Sequence, residues 1–177
     1  VRGAQMVVAT SAIREDVPEM TWAREHGVPV CKRHQYLPLL ASGKRMLAVA
    51  GTHGKTTTTS LLAHILTETG RDPTAVVGGV LQSWGTNARV GASDLFVLEA
   101  DEYDRTFLYL NPWLGIITTV EADHPDCYPD AAGMEAAFTE FAGQCGRLVV
   151  NSDDPGVARS LTGAALPAVT TFGRGPK

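Results

Sequence analysis

The sequence predicts an α/β chain with a mainly parallel sheet, and three observations carry that reading. Short apolar runs alternate with helix patterns along most of the 177 residues, and a crossover helix returns each strand in the same direction as the last. One run, Met46 to Ala50, empties into Gly51-Thr-His-Gly-Lys-Thr56 and then into a helix pattern. Two later runs end in polar clusters, Glu99-Ala-Asp-Glu-Tyr-Asp104 and Glu121-Ala-Asp-His-Pro-Asp126. In a parallel sheet such clusters collect at one edge, the carboxyl edge where ligands bind.

Taken in order, Gln5 to Thr10 reads as a buried strand. A helix follows with Asp16 as N-cap and Pro18 in its first turn, running to about His26, where Gly27 stops it. Val28 to Cys31 is a second short strand, and His34 to Ala41 a helix with Tyr36, Leu37, Leu39 and Leu40 partly buried. Ser42-Gly-Lys-Arg45 is a polar, glycine-containing break. It divides the chain into 1–42 and 43–177.

The run into Gly51 has the grammar of a phosphate-binding loop. A buried strand delivers the turn, Gly51 and Gly54 let the backbone approach an anion, and the new helix points its N–H groups at phosphate oxygens. Gly51, Thr52, His53, Gly54, Lys55, Thr56 and Thr57 are the expected nucleotide-binding residues. Lys55 would reach the terminal phosphates and the Thr56 hydroxyl would hold magnesium. The loop is shorter than the common G-x-x-x-x-G-K-[ST] form, since Val49 stands where the first glycine would be.

The helix from Lys55 to about Thr69 carries Leu61, Leu62, Ile65 and Leu66 as its apolar stripe, and Gly70 ends it. Pro73 to Val80 is a strand ending in paired glycines, read equally as a close backbone approach or a turn with positive φ. Asp94 to Glu99 is a strand whose end is crowded with carboxylates, the hard oxygen ligands that a magnesium-nucleotide site requires. Trp113 to Val120 is a strand leading to His124. Ala132 to Ala142 is an amphipathic helix, Arg147 to Asn151 a strand, Ser152 to Pro155 the start of a helix, and Val169 to Gly173 a last strand.

Composition limits the partners. Hydrophobic residues at 44%, charged residues at 19% and a net charge of −4 describe an ordinary globular protein with no electrostatic case for nucleic acid. No apolar run reaches the eighteen or so residues of a membrane span. Three cysteines without C-x-x-C spacing argue against a disulfide framework and a structural zinc site. A cytoplasmic setting is expected, and the oligomeric state is not legible.

Gly51-Thr-His-Gly-Lys-Thr-Thr-Thr-Thr59, Glu99-Ala-Asp-Glu and Asp123-His-Pro-Asp126 together resemble the Mur ligases of peptidoglycan synthesis. The resemblance implies a central ATP-binding domain over 43–177, preceded over 1–42 by the tail of a Rossmann-like domain that binds the UDP-sugar. It implies ATP and Mg2+ as cofactors, Glu99 as a metal ligand, and His124 near a second metal. Asp101, Glu102 and Asp104 are weaker candidates for the metal-ligand role, read first as shaping the loop or meeting solvent. Ser11 and Arg89 are candidate substrate contacts, Arg89 within a segment, Gly85 to Gly91, that resembles the family's loop over the substrate. For each a structural role, a strand-end or capping serine and a surface ion pair, stands as the alternative.

Within the family, the form with His53 is similar to the member that joins L-alanine to UDP-N-acetylmuramate through an acyl phosphate. It is also similar to a muropeptide-recycling tripeptide ligase. A nucleotide-binding fragment, inactive without further domains, is the rival from another class.

Overall fold

The structure is a computed structural model and describes residues 1–10 and 13–175. Ser11, a candidate substrate contact, lies outside the described residues. The chain divides into two compact units, residues 1–42 and 43–177.

In the first unit, β1 (Val7–Ala9) pairs in parallel with β2 (Val30–Lys32), and the helices α1 (Pro18–Glu25) and α2 (Arg33–Leu40) follow them in turn. Asp16 is not the cap of α1. Val17 occupies that position without a side-chain hydrogen bond, because the Asp16 carboxylate is taken by the Arg14 guanidinium at 2.6 and 2.9 Å. Pro18 opens the helix, where its missing N–H costs nothing. In α2, Tyr36 and Leu37 are half-buried as expected, whereas Leu39 and Leu40 are exposed.

The second unit is a seven-stranded sheet in the order β5-β4-β6-β3-β7-β8-β9. Its strands are β3 (Arg45–Ala50), β4 (Thr74–Leu81), β5 (Thr86–Arg89), β6 (Leu95–Glu99), β7 (Leu114–Ile117), β8 (Arg147–Asn151) and β9 (Ala168–Phe172). All neighbours are parallel except β4 and β5. The segment expected as a loop over substrate is in fact largely this antiparallel edge strand.

Helices α3 (Lys55–Glu68), α4 (Ala131–Gln144) and α5 (Pro155–Leu161) connect the parallel strands, and a 3-10 segment spans Tyr103–Tyr109. The strand β3 lies at the centre and is buried from Met46 to Ala50. Side chains alternate across a strand, so Val97 of β6 meets Ala63 of α3 with Ala75 of β4, while Phe96 and Leu98 face the other side. Phe107 stacks on Phe141 at 5.0 Å and meets Phe138 edge-on at 5.1 Å, joining the 3-10 segment to α4. The three cysteines are free.

Two expectations change. Half of the apolar stripe expected on α3 packs inward: Leu62 and Leu66 are half-buried against the core of Ala63, Ala75 and Val97, Thr59 and Ala63 are buried, and Leu61 and Ile65 are exposed. The strand expected to reach Val120 ends at Ile117. Thr118 N–H still donates to Ala50 O of β3 at 3.1 Å, and from there the segment turns to the neighbouring loop, with the Thr118 hydroxyl donating to His53 O at 2.6 Å.

Candidate active site

The glycine-rich loop leaves the central strand β3 and is stapled to the segment after β7. Thr52 N–H donates to Thr119 O at 2.9 Å, His53 N–H to Thr119 Oγ1 at 3.0 Å, and Glu121 N–H to Thr52 Oγ1 at 2.9 Å. Gly51 has φ 138°, and a Cβ there would collide with Thr118 Oγ1. Gly54, in the left-handed region at φ 82°, precedes α3 at the cap position. No side chain caps α3, whereas Asp130 and Asp154 accept from the first turns of α4 and α5. The leading N–H groups of α3 are therefore left for something other than a cap.

Thr52, His53, Gly54, Lys55, Thr56 and Thr57, all expected at a nucleotide, line a recess of about 300 Å³. The His53 ring is exposed, with Nε2 3.6 Å from Glu121 Oε2. Thr56 Oγ1 donates to Glu99 Oε1 at 2.9 Å, and Gly78 N–H donates to Glu99 Oε2 at 2.6 Å. A hydroxyl on α3 and a carboxylate at the end of β6 thus share one spot. Of the two readings of the glycine pair after Val77, Gly78 settles on close approach without a positive φ: a Cβ there would stand 2.5 Å from Glu99 Oε1.

Lys55 bends back over its own loop. Its ammonium donates to Gly51 O at 2.8 Å, Thr52 O at 3.3 Å and Glu102 Oε1 at 2.7 Å. Sequence reasoning ranked Glu102 below Glu99, as a weaker candidate read first as shaping the loop or meeting solvent, and did not foresee its bond to Lys55. The Glu102 side chain is 0% exposed. Burial pushes its carboxyl above the usual carboxylate range, with the Lys55 ammonium as the main opposing influence. The Tyr128 hydroxyl, itself pushed up by burial, donates to Glu102 O at 2.7 Å. The signal was present only as four acidic positions in six residues, which does not say which one turns inward.

His124 has φ 52°, and its N–H donates to Asp123 Oδ1 at 2.7 Å. Its ring faces Glu102, with Nε2 3.5 Å from Oε1, and meets the Tyr103 ring edge-on at 5.3 Å. Tyr103 in turn donates to Asp126 Oδ2 at 3.0 Å. Glu99 and His124 therefore have different partners: Glu99 joins Thr56, and His124 faces Glu102, which holds Lys55. Among the described residues no group of three or more His, Cys, Asp or Glu is placed to hold a metal ion. Thr56 and Glu99 still fit magnesium, which takes few protein oxygens and keeps waters or phosphate oxygens for the rest.

Arg89 is not brought to this group. Its guanidinium is held by Asp72 and by Thr67 Oγ1 at 2.5 Å, and lies 5.6 Å from the centre of the Trp84 ring. That is the ion-pair alternative weighed for it. No described helix is long and apolar enough to cross a membrane.

Residues 49–177 match the Mur ligase middle domain. The UDP-N-acetylmuramate:L-alanine ligase of Frankia alni is 50% identical over 162 residues, covering 90% of this chain and 28% of its own length. Among solved structures, the UDP-N-acetylmuramate-alanine ligase of Thermotoga maritima is 31% identical with a TM-score of 0.82, over 97% of this chain and 39% of that one. The UDP-N-acetylmuramate:L-alanyl-gamma-D-glutamyl-meso-diaminopimelate ligase of Neisseria meningitides is 28% identical with a TM-score of 0.84, over 96% and 58%. The chain thus spans about a third of the length of the curated relatives it matches. With the loop after β3, a glutamate at the end of β6, a histidine in the segment after β7 and a middle-domain match from Val49 onward, the chain belongs to the Mur ligase family.

Proposed function

We propose that this chain is the ATP-binding core of a ligase that joins L-alanine to the carboxylate of UDP-N-acetylmuramate, in the making of peptidoglycan precursors. The observation that carries the nucleotide reading is the uncapped start of α3 beside Lys55, with Thr56 and Glu99 sharing one spot at the sheet's carboxyl edge. The choice of L-alanine rests on the 50% identical relative. The segment 1–42 is then the tail of the UDP-sugar-binding domain. The setting is cytoplasmic.

The loop and α3 N–H groups bind the phosphates of ATP, and Lys55 offsets the charge gathering on the γ-phosphate. Thr56 and Glu99 would hold magnesium, and His124 would support a second ion. Bound there, magnesium neutralises phosphate charge. The substrate carboxylate attacks the γ-phosphorus and ADP departs, leaving an acyl phosphate. The amine of L-alanine then displaces phosphate to form the amide. No side chain needs to act as a covalent nucleophile, so the chain's share is alignment and charge stabilisation.

The test is ligation by the full-length protein with UDP-N-acetylmuramate, ATP and either L-alanine or the tripeptide of the recycling ligases. L-alanine is the expected acceptor amine, and Lys55→Ala and Glu99→Ala should each lower kcat/KM by at least about a hundredfold, the scale of removing one charge-stabilising group. Preference for the tripeptide would replace this reading with the recycling one. Phosphate release that needs no muramate would point to a plain NTPase, and binding of ATP without ligation to a nucleotide-binding module.

A further inference from the structure

An ammonium group has three protons and no acceptor. In Lys55 all three have partners: Glu102 Oε1 at 2.7 Å, Gly51 O at 2.8 Å and Thr52 O at 3.3 Å. Lys55 therefore cannot meet a phosphate without giving one of them up. The longest bond is the weakest and lies at or beyond the usual range for N–H···O contacts. Exchanging Thr52 O for a phosphate oxygen leaves two good bonds intact. Exchanging Glu102 would break a charge-assisted bond and leave a buried carboxylate without its cation, the costlier course.

We infer that Glu102 is a positioning residue for Lys55, keeping its bond to the ammonium while nucleotide is bound and so directing the third N–H at the phosphate. This rests on the nucleotide reading above. Three further observations agree. Glu102 sits at 0% exposure, pinned from its backbone by Tyr128, so its oxygen is a fixed reference point. The same Oε1 lies 3.5 Å from His124 Nε2, tying the loop after β3 to the segment after β7 through one atom. Its other oxygen, Oε2, is buried without a hydrogen-bond partner among the described residues. A carboxylate placed for stability alone would have both oxygens satisfied.

The alternative physics gives the opposite sign. A carboxylate that merely competed with phosphate for Lys55 would weaken nucleotide binding, and removing it would tighten the complex. One that only filled the core would lower affinity by the same factor whether or not Lys55 were present.

A double-mutant cycle in the full-length protein separates these cases: the dissociation constant of a non-hydrolysable ATP analogue with magnesium, measured by calorimetry for wild type, Glu102→Ala, Lys55→Ala and the double variant. Glu102→Ala should weaken binding about tenfold in the wild-type background and less than twofold beside Lys55→Ala. Glu102→Gln, which keeps an acceptor oxygen in the same place, should recover at least half of that loss on a logarithmic scale. Tighter binding by Glu102→Ala, or equal losses in both backgrounds, overturns the inference. Should Glu102→Ala fail to fold, the same cycle with Glu102→Gln decides: a loss confined to the Lys55 background supports the role, and a loss independent of Lys55 removes it. Wild-type protein that binds no analogue, or Lys55→Ala that binds as wild type does, overturns the nucleotide reading itself and this inference with it.

Discussion

Gly78 controls its neighbour by what it lacks. Its N–H reaches Glu99 Oε2 at 2.6 Å, and a methyl group on its Cα would stand 2.5 and 2.6 Å from the two carboxylate oxygens. No relaxation keeps both the methyl and the present Glu99 position. Its φ is not positive, so Gly78→Ala tests the space alone, free of backbone strain. The variant should weaken magnesium-dependent binding of an ATP analogue by about tenfold or more, the scale of one lost hydrogen bond to a charged group. Gly79→Ala is the control, because a Cβ there would lie 3.4 Å from Thr56 Cγ2, an ordinary contact. It should bind within about twofold of wild type. Equal behaviour of the two variants in the titration would mean that the Glu99 position does not matter to the metal.

The same scale shows what was legible in the sequence. Lys55 and Thr56 could be read from one strand-loop-helix pattern, and Glu99 from a strand end together with the resemblance to the Mur ligases. Glu102 could not, because its partner is 47 positions away. The contact exists only because β3 and β6 are neighbours in register, with Val49 opposite Glu99. Nothing in a run of acidic residues announces which strand will lie beside it.

At the scale of the element, α3 shows why type and length were easier to read than orientation. Its ends were expected at Lys55 and Thr69 and fall at Lys55 and Glu68. Its packing face was read half correctly: Leu62 and Leu66 pack against the core, but Leu61 and Ile65 do not, and the small Thr59 and Ala63 were overlooked. The sheet approaches closely along Thr59 and Ala63, both 0% exposed, and the small side chains are what permit that approach. Leu61 and Ile65 are each 56% exposed on the remaining surface. Leu61→Ala should therefore change stability by less than about 0.5 kcal/mol, as ordinary surface substitutions do. Ala63→Leu should cost about 1–3 kcal/mol by overpacking against Ala75 and Val97. Urea unfolding of the two variants checks this, and a larger loss for Leu61→Ala would restore the original stripe. The segment after Ile117 carries a similar lesson. Thr118 and Thr119 belong to a strand by propensity, yet their hydroxyls bond the neighbouring loop.

For the whole molecule, the order of the sheet sets where stability should concentrate. The strand β3 has parallel partners on both edges, β6 and β7, and every side chain from Met46 to Ala50 is buried. In the other unit β1 and β2 form a two-stranded sheet of three residues each, and α2 has no buried residue. A two-stranded sheet of that size has little independent stability. Amide exchange in residues 1–177 alone, followed by mass spectrometry, should rank these regions. The amides of β3, β6 and β7 should exchange more than about a hundredfold more slowly than those of β1 and β2, a gap of roughly 2.8 kcal/mol in opening free energy at about 1.4 kcal/mol per factor of ten. The gap follows from the number of bonded edges and the depth of burial, so nucleotide need not be present to produce it. Adding an ATP analogue should then slow exchange around Gly51 to Thr58 and leave β1 and β2 unchanged, since the recess lies wholly within residues 43–177. Equal protection of β1 and β3 would show that the two units open as one, and the sheet order could then no longer account for where stability resides.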